Sequence, residues 1–257
     1  MNKWALISPP DSWTDLQQKV STILDDCGYT AEVEKEIPLV RGKIVVDVYG
    51  KTAVNVPTIV LCECKHWNSR VSKAIVQQFK TTVAEGGAHH GFIISRKGFQ
   101  SGAFAAIEKT NISLFCWEEF QDTFKTDWLK HWVDQIDRAG IELRTFIRRL
   151  GRWSKEKDAT GSLIMSKWKE ISQIRAAHED WIFYAMRNNY TELNIREVSW
   201  AQALSTIEEG TMRDLPIHPK YLRDYFSAIL NRCRDDIKAI ESLFAGAIKC
   251  EPEKVLP

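Results

Sequence analysis

Residues 58–65 read TIVLCECK and residues 44–49 read IVVDVY, two short segments rich in β-branched residues. This composition predicts two β-strands, each of which carries charged side chains among its apolar ones. Because side chains alternate along a strand, Glu63 and Lys65 are expected on one face and the two cysteines of the segment on the other.

The rest of the first half alternates between helices and strands. Strands separated by helices favour parallel pairing, whereas the first three strands can pair through tight turns. Hydrophobic spacing predicts, in chain order, a helix over 16–24 with Ser12 as its N-cap, strands over 31–40, 44–49 and 58–65, a helix over 71–83, a strand over 91–95, a helix over 99–107 and a strand over 112–116.

The strand signal disappears from about residue 117 onward. Helical spacing then predicts helices over 127–150, 162–190, 198–209 and 219–248. We therefore predict two domains, a mixed α/β domain over residues 1–125 and an all-helical domain over residues 126–257.

Charge and hydropathy exclude several classes of protein. The 257 residues include 35 Lys plus Arg against 34 Asp plus Glu, a formal net charge of +1, which excludes a polybasic coat but not a local basic groove. No apolar run approaches the roughly 18 residues that a membrane span needs, and residues 1–13 lack the apolar core of a signal peptide. The sequence predicts a cytoplasmic protein with reduced cysteines and no membrane association.

The charged residues of the two β-rich segments suggest a metal site. If the strands are neighbours, Asp47 shares a face with Glu63 and Lys65, and two close carboxylates suit Mg²⁺, which also takes carbonyl and water ligands. A lysine beside the cation could act on a bound water or on a phosphorus-centred transition state. The alternative is a solvated strand face that carries ordinary surface charges.

The sequence from about residue 13 to 120 resembles the PD-(D/E)xK restriction-endonuclease-like superfamily and, within it, the Mrr-type nucleases. The family core has the same order of helices and strands as the one predicted above. The matching stretches are GY at 28–29, VDV at 46–48, VLCECKHW at 60–67, the helix over 71–79, GFIIS at 91–95, GFQSGA at 98–103 and NISL at 111–114.

The resemblance implies a restriction-endonuclease-like core, an αβββαβαβ mixed sheet flanked by helices, followed by an all-α C-terminal domain. It implies that Asp47 and Glu63 bind the metal, that the carbonyl of Cys64 completes the protein ligands, and that Lys65 assists the water. The cation implied is Mg²⁺, with Mn²⁺ as a substitute.

Relatives often add a polar residue from the following helix, which here is Gln77 or Gln78, with Gln78 preferred as a catalytic residue. Two departures from the family pattern stand out. Val46 replaces the usual proline, and residues 16–18, Leu-Gln-Gln, lack the glutamate that many relatives carry in the first helix. A neutral amide is a poorer Mg²⁺ ligand than a carboxylate, which weighs against a second metal site.

The function implied is a Mg²⁺-dependent DNA endonuclease of prokaryotic restriction or anti-phage defence, acting as a homodimer with a defence-system partner protein. One alternative is a nuclease that acts on RNA or branched DNA. The other is an inactive nuclease-fold module that binds DNA or serves as a scaffold.

Several residues outside the metal site are candidates for contacting nucleic acid, and an ordinary solvated helix face is the alternative for the basic ones among them. Arginines four residues apart would form one stripe along a helix and could follow a phosphate backbone. The candidates are His66, Arg70, Lys73, Arg144, Arg148 and Arg152.

Cys62, Cys64 and His66 have the alternating spacing that could place three metal ligands on one strand face. A zinc site needs a fourth ligand in tetrahedral geometry, and this face should pack on a helix. Burial of the cysteines in the core is therefore the favoured interpretation.

Overall fold

The computed structural model of the chain describes residues 5–40, 42–53 and 55–153, together with scattered positions between 221 and 242. The chain divides into two compact units, Met1–His131 and Trp132–Pro257. The functional division predicted at residues 125 and 126 stays a prediction.

The first unit has the predicted order of helices and strands, so this part of the fold prediction is confirmed. In chain order the elements are α1 (Trp13–Asp26), β1 (Tyr29–Leu39), β2 (Gly42–Thr52), β3 (Ile59–Lys65), α2 (Lys73–Glu85), β4 (His90–Ser95), α3 (Ser101–Ile107), β5 (Ile112–Phe115) and α4 (Trp117–Trp153), which begins in the first unit and continues past His131.

The five strands form one mixed sheet in the order β1-β2-β3-β4-β5. The pairs β1–β2 and β2–β3 are antiparallel, as short connections allow, and the pairs β3–β4 and β4–β5 are parallel because α2 and α3 cross over between them. In the parallel register Lys65 lies beside Ser95, so β3 and β4 end at the same edge of the sheet.

Helices cover both faces of this sheet. The face that carries Leu61 and Ile93 forms a buried cluster with the side chains of α2, Val76 and Phe79 among them. On the opposite face, Leu24 of α1 packs near Gly50 together with Val60. Glu63 and Lys65 continue the Leu61 face by alternation, whereas Cys62 and Cys64 lie on the Val60 face and are fully buried. The expectation that these cysteines pack in the core is confirmed.

The helix α1 begins where the sequence predicts. Ser12 is its N-cap, with extended backbone, and its hydroxyl accepts a hydrogen bond from the backbone N–H of Asp15 at 3.1 Å. Because the start of the helix is fixed, so are the directions in which the side chains of Trp13 and Gln17 project from its first turns.

The start of α4 corrects one boundary, because the helix begins at Trp117 and not near residue 127. The Glu119 carboxylate accepts a hydrogen bond from the backbone N–H of Cys116 at 2.7 Å, which satisfies a free donor at the helix start. Phe120 and Phe124 then recur at helical spacing and are buried in an aromatic cluster with Phe92. The packing of these rings explains why the helix starts earlier than its polar content suggests.

The predicted all-helical second half is described only in part. Its first helix is the remainder of α4, and the scattered described positions between 222 and 242 are helical. The helices predicted over 162–190 and 198–209 lie outside the described residues. Within the described part of the chain, no helix combines the length and apolar character that crossing a membrane requires.

Gly91 lies where side chains of α2 pack tightly against the sheet. A Cβ atom there would lie 2.6 Å from both Val83 Cγ2 and Ile112 Cδ1, and 2.9 Å from Phe79 Cε1. We expect Gly91→Ala to lower the free energy of unfolding by about 1–3 kcal/mol through overpacking, measured by urea denaturation. Gly102→Ala in α3 is the matched control, because a Cβ atom there would lie 3.8 Å from its nearest neighbours, Cβ and Cδ of Lys73, and it should be neutral or stabilising. Equal stability of the two variants would contradict this description of the core.

Candidate active site

Asp47 lies where β2 separates from β3. Main-chain pairing of the two strands runs from Lys51 and Ile59 to Val48 and Cys62 and stops before Asp47. Beyond this point the Asp47 carboxylate replaces a main-chain acceptor of β2, because its Oδ2 atom accepts a hydrogen bond from the backbone N–H of Cys64 at 2.6 Å. The side chain of Asp47 is thereby fixed at the end of β3.

The neighbouring strand is distorted at the same level. Glu34 of β1 lies between the pairs Val33–Val48 and Lys35–Val46, and it has a φ of 51°. This left-handed conformation is uncommon for a residue other than glycine. The pairing of β2 is therefore irregular on both sides of Asp47, with β1 and with β3. This irregular point is where the Asp47 side chain enters the candidate site.

Gln17 holds the other oxygen of Asp47. Its side chain is 1% exposed, and its Nε2 atom donates a hydrogen bond to Asp47 Oδ1 at 3.1 Å. Both carboxylate oxygens therefore have a protein donor, and each keeps a lone pair for a further partner. In the sequence, Gln17 stands out only as a departure from the family pattern, whereas in the structure it is the residue that orients Asp47.

Glu63 and Lys65 lie on the same side of β3, as alternation predicts, and Lys65 Nζ pairs with Glu63 Oε1. Burial raises the pKa of Glu63, the charge of Asp47 raises it further, and the contact with Lys65 opposes both effects. A half-buried carboxylate next to a second one is destabilised in its charged form. A divalent cation would relieve that repulsion, which makes the pair suited to binding one.

Cys64 contributes main-chain groups to the site. Its carbonyl accepts a hydrogen bond from Trp13 Nε1 at 3.0 Å and keeps a second lone pair for a metal. Its thiol is buried on the opposite face, and burial raises the pKa of Cys64 well above the ordinary value, so a thiolate ligand is disfavoured. The proposed role for Cys64 is accordingly that of its carbonyl.

Trp67 holds the ammonium group of Lys65 from the other side. Lys65 Nζ lies over the Trp67 ring, 4.9 Å from its centroid. The ammonium thus contacts both a carboxylate and an aromatic face. The arrangement presents a positive charge at the end of β3.

The described residues contain no group of three or more His, Cys, Asp or Glu side chains that could hold a metal. Two carboxylates with one main-chain carbonyl nevertheless fit Mg²⁺, which usually keeps several waters and binds to one or two carboxylates. The donor set is all oxygen, as a hard cation prefers.

The other candidates lie outside this group. His66 Nε2 is 3.3 Å from the carbonyl oxygen of Pro10, and Arg70 and Lys73 are exposed. Gln78 is exposed on α2, and among the described residues its side chain forms no hydrogen bond. The backbone of Arg144, Arg148 and Arg152 is part of α4, but their side chains lie outside the described residues. These assignments all stay predictions.

Two basic residues were missed by the sequence analysis. Arg96 and Lys97 follow β4 directly and are exposed. The backbone N–H of Arg96 donates to the carbonyl of Lys65 at 3.0 Å, and its Nη1 donates to Asn68 Oδ1 at 3.3 Å. Because β3 and β4 are parallel, their C-terminal ends meet at one edge of the sheet. The predicted topology could therefore have placed Arg96 and Lys97 beside the end of β3.

Comparisons with known proteins agree with this description. Residues 11–124 match the family model Mrr_cat, described as a restriction endonuclease, which confirms the predicted resemblance for this part of the chain. No curated protein matches the sequence.

Two endonucleases are among the solved structures to which part of the chain is similar. A repair endonuclease from Pyrococcus abyssi is 20% identical, with 44% of this chain and 50% of that chain covered and a TM-score of 0.31. The MspJI restriction endonuclease, solved in complex with a 27-mer oligonucleotide, is 17% identical, with 45% and 27% covered and a TM-score of 0.31. The chain therefore spans half or less of the length of these two proteins.

The raised pKa of Glu63 has a consequence for stability. A carboxyl group with a raised pKa in the folded state favours folding while it is protonated, and this contribution is lost as the pH rises through that pKa. We expect Glu63→Gln to be more stable than wild type at pH 7 in the presence of a chelator, and the difference to shrink towards pH 4, measured by urea denaturation. Glu32→Gln, which removes an exposed partner of Lys35, is the control and should not gain stability. A Glu63→Gln protein that is less stable at pH 7 would contradict the electrostatic description.

Proposed function

We propose that this protein is a Mg²⁺-dependent DNA endonuclease that hydrolyses phosphodiester bonds, with Mn²⁺ able to substitute. The observation that supports it best is the convergence of Asp47, Glu63 and Lys65 at the end of β3, within a segment that matches a restriction endonuclease family model. The nuclease nature of residues 11–124 rests on that match, whereas the metal dependence, the substrate and the biological role are our proposal.

Each residue has a distinct task in the proposed reaction. Asp47 and Glu63 hold the cation together with the carbonyl of Cys64, and Gln17 and the Cys64 N–H keep Asp47 in one orientation. A bound divalent cation supplies a water of lowered pKa and polarises the phosphate. Lys65 stabilises the negative charge that develops at phosphorus, and Gln78 is proposed to assist from α2. No covalent intermediate with the protein is required.

The basic edge of the sheet favours a polyanionic substrate. We define the basic edge as the five basic residues that lie shortly after β3 and β4 in the sequence. No acidic residue occurs within residues 64–73 or 95–101. Phosphate contacts of this kind orient a nucleic acid without reading its sequence. The basic edge consists of His66, Arg70, Lys73, Arg96 and Lys97.

Assembly and biological role complete the proposal. One active site cuts one strand, so a homodimer with twofold symmetry would place two sites across a duplex. Arg144, Arg148 and Arg152 would add phosphate contacts from the helical region. We propose a cytoplasmic role in prokaryotic restriction or anti-phage defence, with a partner protein that controls cleavage.

The test of the activity is plasmid cleavage with Mg²⁺ and with a chelator. Lys65→Ala should lower the cleavage rate about 10²- to 10³-fold, because it removes a charge that acts in the transition state. Lys35→Ala is a closely matched control, since Lys35 also pairs with a glutamate, Glu32, and lies over an aromatic ring, that of Tyr49. Its activity should equal that of wild type.

Three results would overturn the proposal. Equal cleavage by Lys65→Ala and wild type would assign the activity to another site or to a contaminant. Cleavage of labelled RNA or branched DNA without cleavage of linear duplex DNA would replace the substrate. Absence of cleavage together with tight DNA binding would favour the inactive nuclease-fold module.

The basic edge generates a separate prediction about binding. We expect the double substitution of Arg96 and Lys97 by alanine to weaken duplex DNA binding and to reduce the slope of log K against log salt by about 1–2. The measurement is fluorescence anisotropy over a salt series. Lys51→Ala, at the opposite end of β2 and β3, is the control and should leave the slope unchanged. An unchanged slope for the double variant would remove this edge from the DNA-binding surface.

A further inference from the structure

Two tryptophans beside the candidate active site are exposed. The side chains of Trp13 and Trp67 are 42% and 41% exposed, respectively. Single exposed apolar residues are common on protein surfaces, but two large aromatic rings next to a charged site need a reason. We call Trp13 and Trp67 the aromatic pair.

Both rings are held by the residues of the site. Trp13 Nε1 donates to the carbonyl oxygen of Cys64 at 3.0 Å, so the polar atom of the indole is satisfied from the protein side. Trp67 lies under Lys65 Nζ, and His66 Nε2 is 3.3 Å from the carbonyl oxygen of Pro10. These contacts tie the start of α1 to the end of β3, and the Nε1 atom of Trp13 already has its hydrogen-bond acceptor within the protein.

The surroundings of the aromatic pair are polar and basic. Asn68, Ser69 and Arg70 follow Trp67 directly and are all exposed. An apolar helix of a partner protein would require a continuous hydrophobic surface, which these neighbours interrupt. A flat aromatic ligand that carries negative charge matches both the ring surfaces and the basic edge.

We propose that the aromatic pair forms a stacking surface for an unpaired nucleobase of DNA, adjacent to the phosphate bound at Lys65. This inference rests on the proposed function and specifies its substrate class. Base–aromatic stacking tolerates any sequence because every base has a π-face.

The geometry of a DNA duplex limits which bases can stack on the aromatic pair. Bases within an intact duplex are stacked on both faces, so an exposed indole reaches a base face only where a base is unpaired or has been turned out of the helix. The preferred substrate is therefore DNA with a bubble or an extruded base at the cleavage point. A continuous, fully paired duplex is expected to bind more weakly.

The experiment measures binding without cleavage, by fluorescence anisotropy in the presence of a chelator. The probes are a labelled DNA duplex and the same duplex with a central unpaired bubble. Trp67→Leu should weaken binding of the bubble about 5- to 100-fold, as expected for loss of one stacked base, and change duplex binding by less than about twofold. Trp67→Phe keeps a ring and should retain most of the affinity. For Trp13 as well, the leucine variant should bind the bubble probe more weakly than the phenylalanine variant.

A second readout follows the base itself. A 2-aminopurine in the bubble should lose fluorescence when wild type or Trp67→Phe binds, and should not when Trp67→Leu binds. Val56→Ala is the control for an exposed apolar residue, because Val56 is 81% exposed but precedes β3, at the end of the strand away from Lys65. It should behave as wild type in both measurements.

The outcomes separate this inference from the proposed function. Equal weakening of duplex and bubble by Trp67→Leu, or no weakening of either, would overturn the stacking surface while DNA binding stands. Wild-type protein that binds neither probe would overturn the proposed function as well. Urea denaturation of each variant checks folding, and the comparison of the leucine and phenylalanine variants remains valid if both lose the same stability.

Discussion

The hydrogen bond between the carboxylate of Asp47 and the backbone N–H of Cys64 is the contact on which the site depends. It forms because the pairing of β2 with β3 ends at Val48 and Cys62, which leaves the N–H of Cys64 free for another acceptor at the end of β3. An unpaired buried donor is costly, so the strand end favours an acceptor side chain at that point. The irregularity of the sheet and the position of the carboxylate thus have one cause.

The site also illustrates a conflict between stability and activity. Burial and the nearby Asp47 raise the pKa of Glu63, so its ionised form is held at a cost to the folded state without a cation. Lys65 reduces that cost but does not remove it. A site arranged in this way has an inherent affinity for positive charge, and the same unfavourable contact that weakens the empty fold supports the proposed chemistry.

The sequence predicted the fold of the first unit well because its periodicities are local. Alternation within residues 58–65 places Glu63 and Lys65 on one face, and helices between the later strands imply parallel pairing. The roles of Gln17 and Trp13 could not be predicted, since they depend on how α1 packs across the end of β3. The early start of α4 was missed because Trp117 and Phe120 directly follow a strand, and only tertiary packing shows that they belong to a helix.

The anchoring of Asp47 through a main-chain group bears on how proteins related to this chain can diverge. An amide N–H belongs to every residue type except proline, so the side chain at position 64 is free to drift among small apolar residues without disturbing the carboxylate. Gln17 has no such freedom, because its own amide group makes the contact. Lineages related to this chain should therefore vary at position 64 within the limits of core volume, exclude proline there, and keep a hydrogen-bonding side chain at position 17.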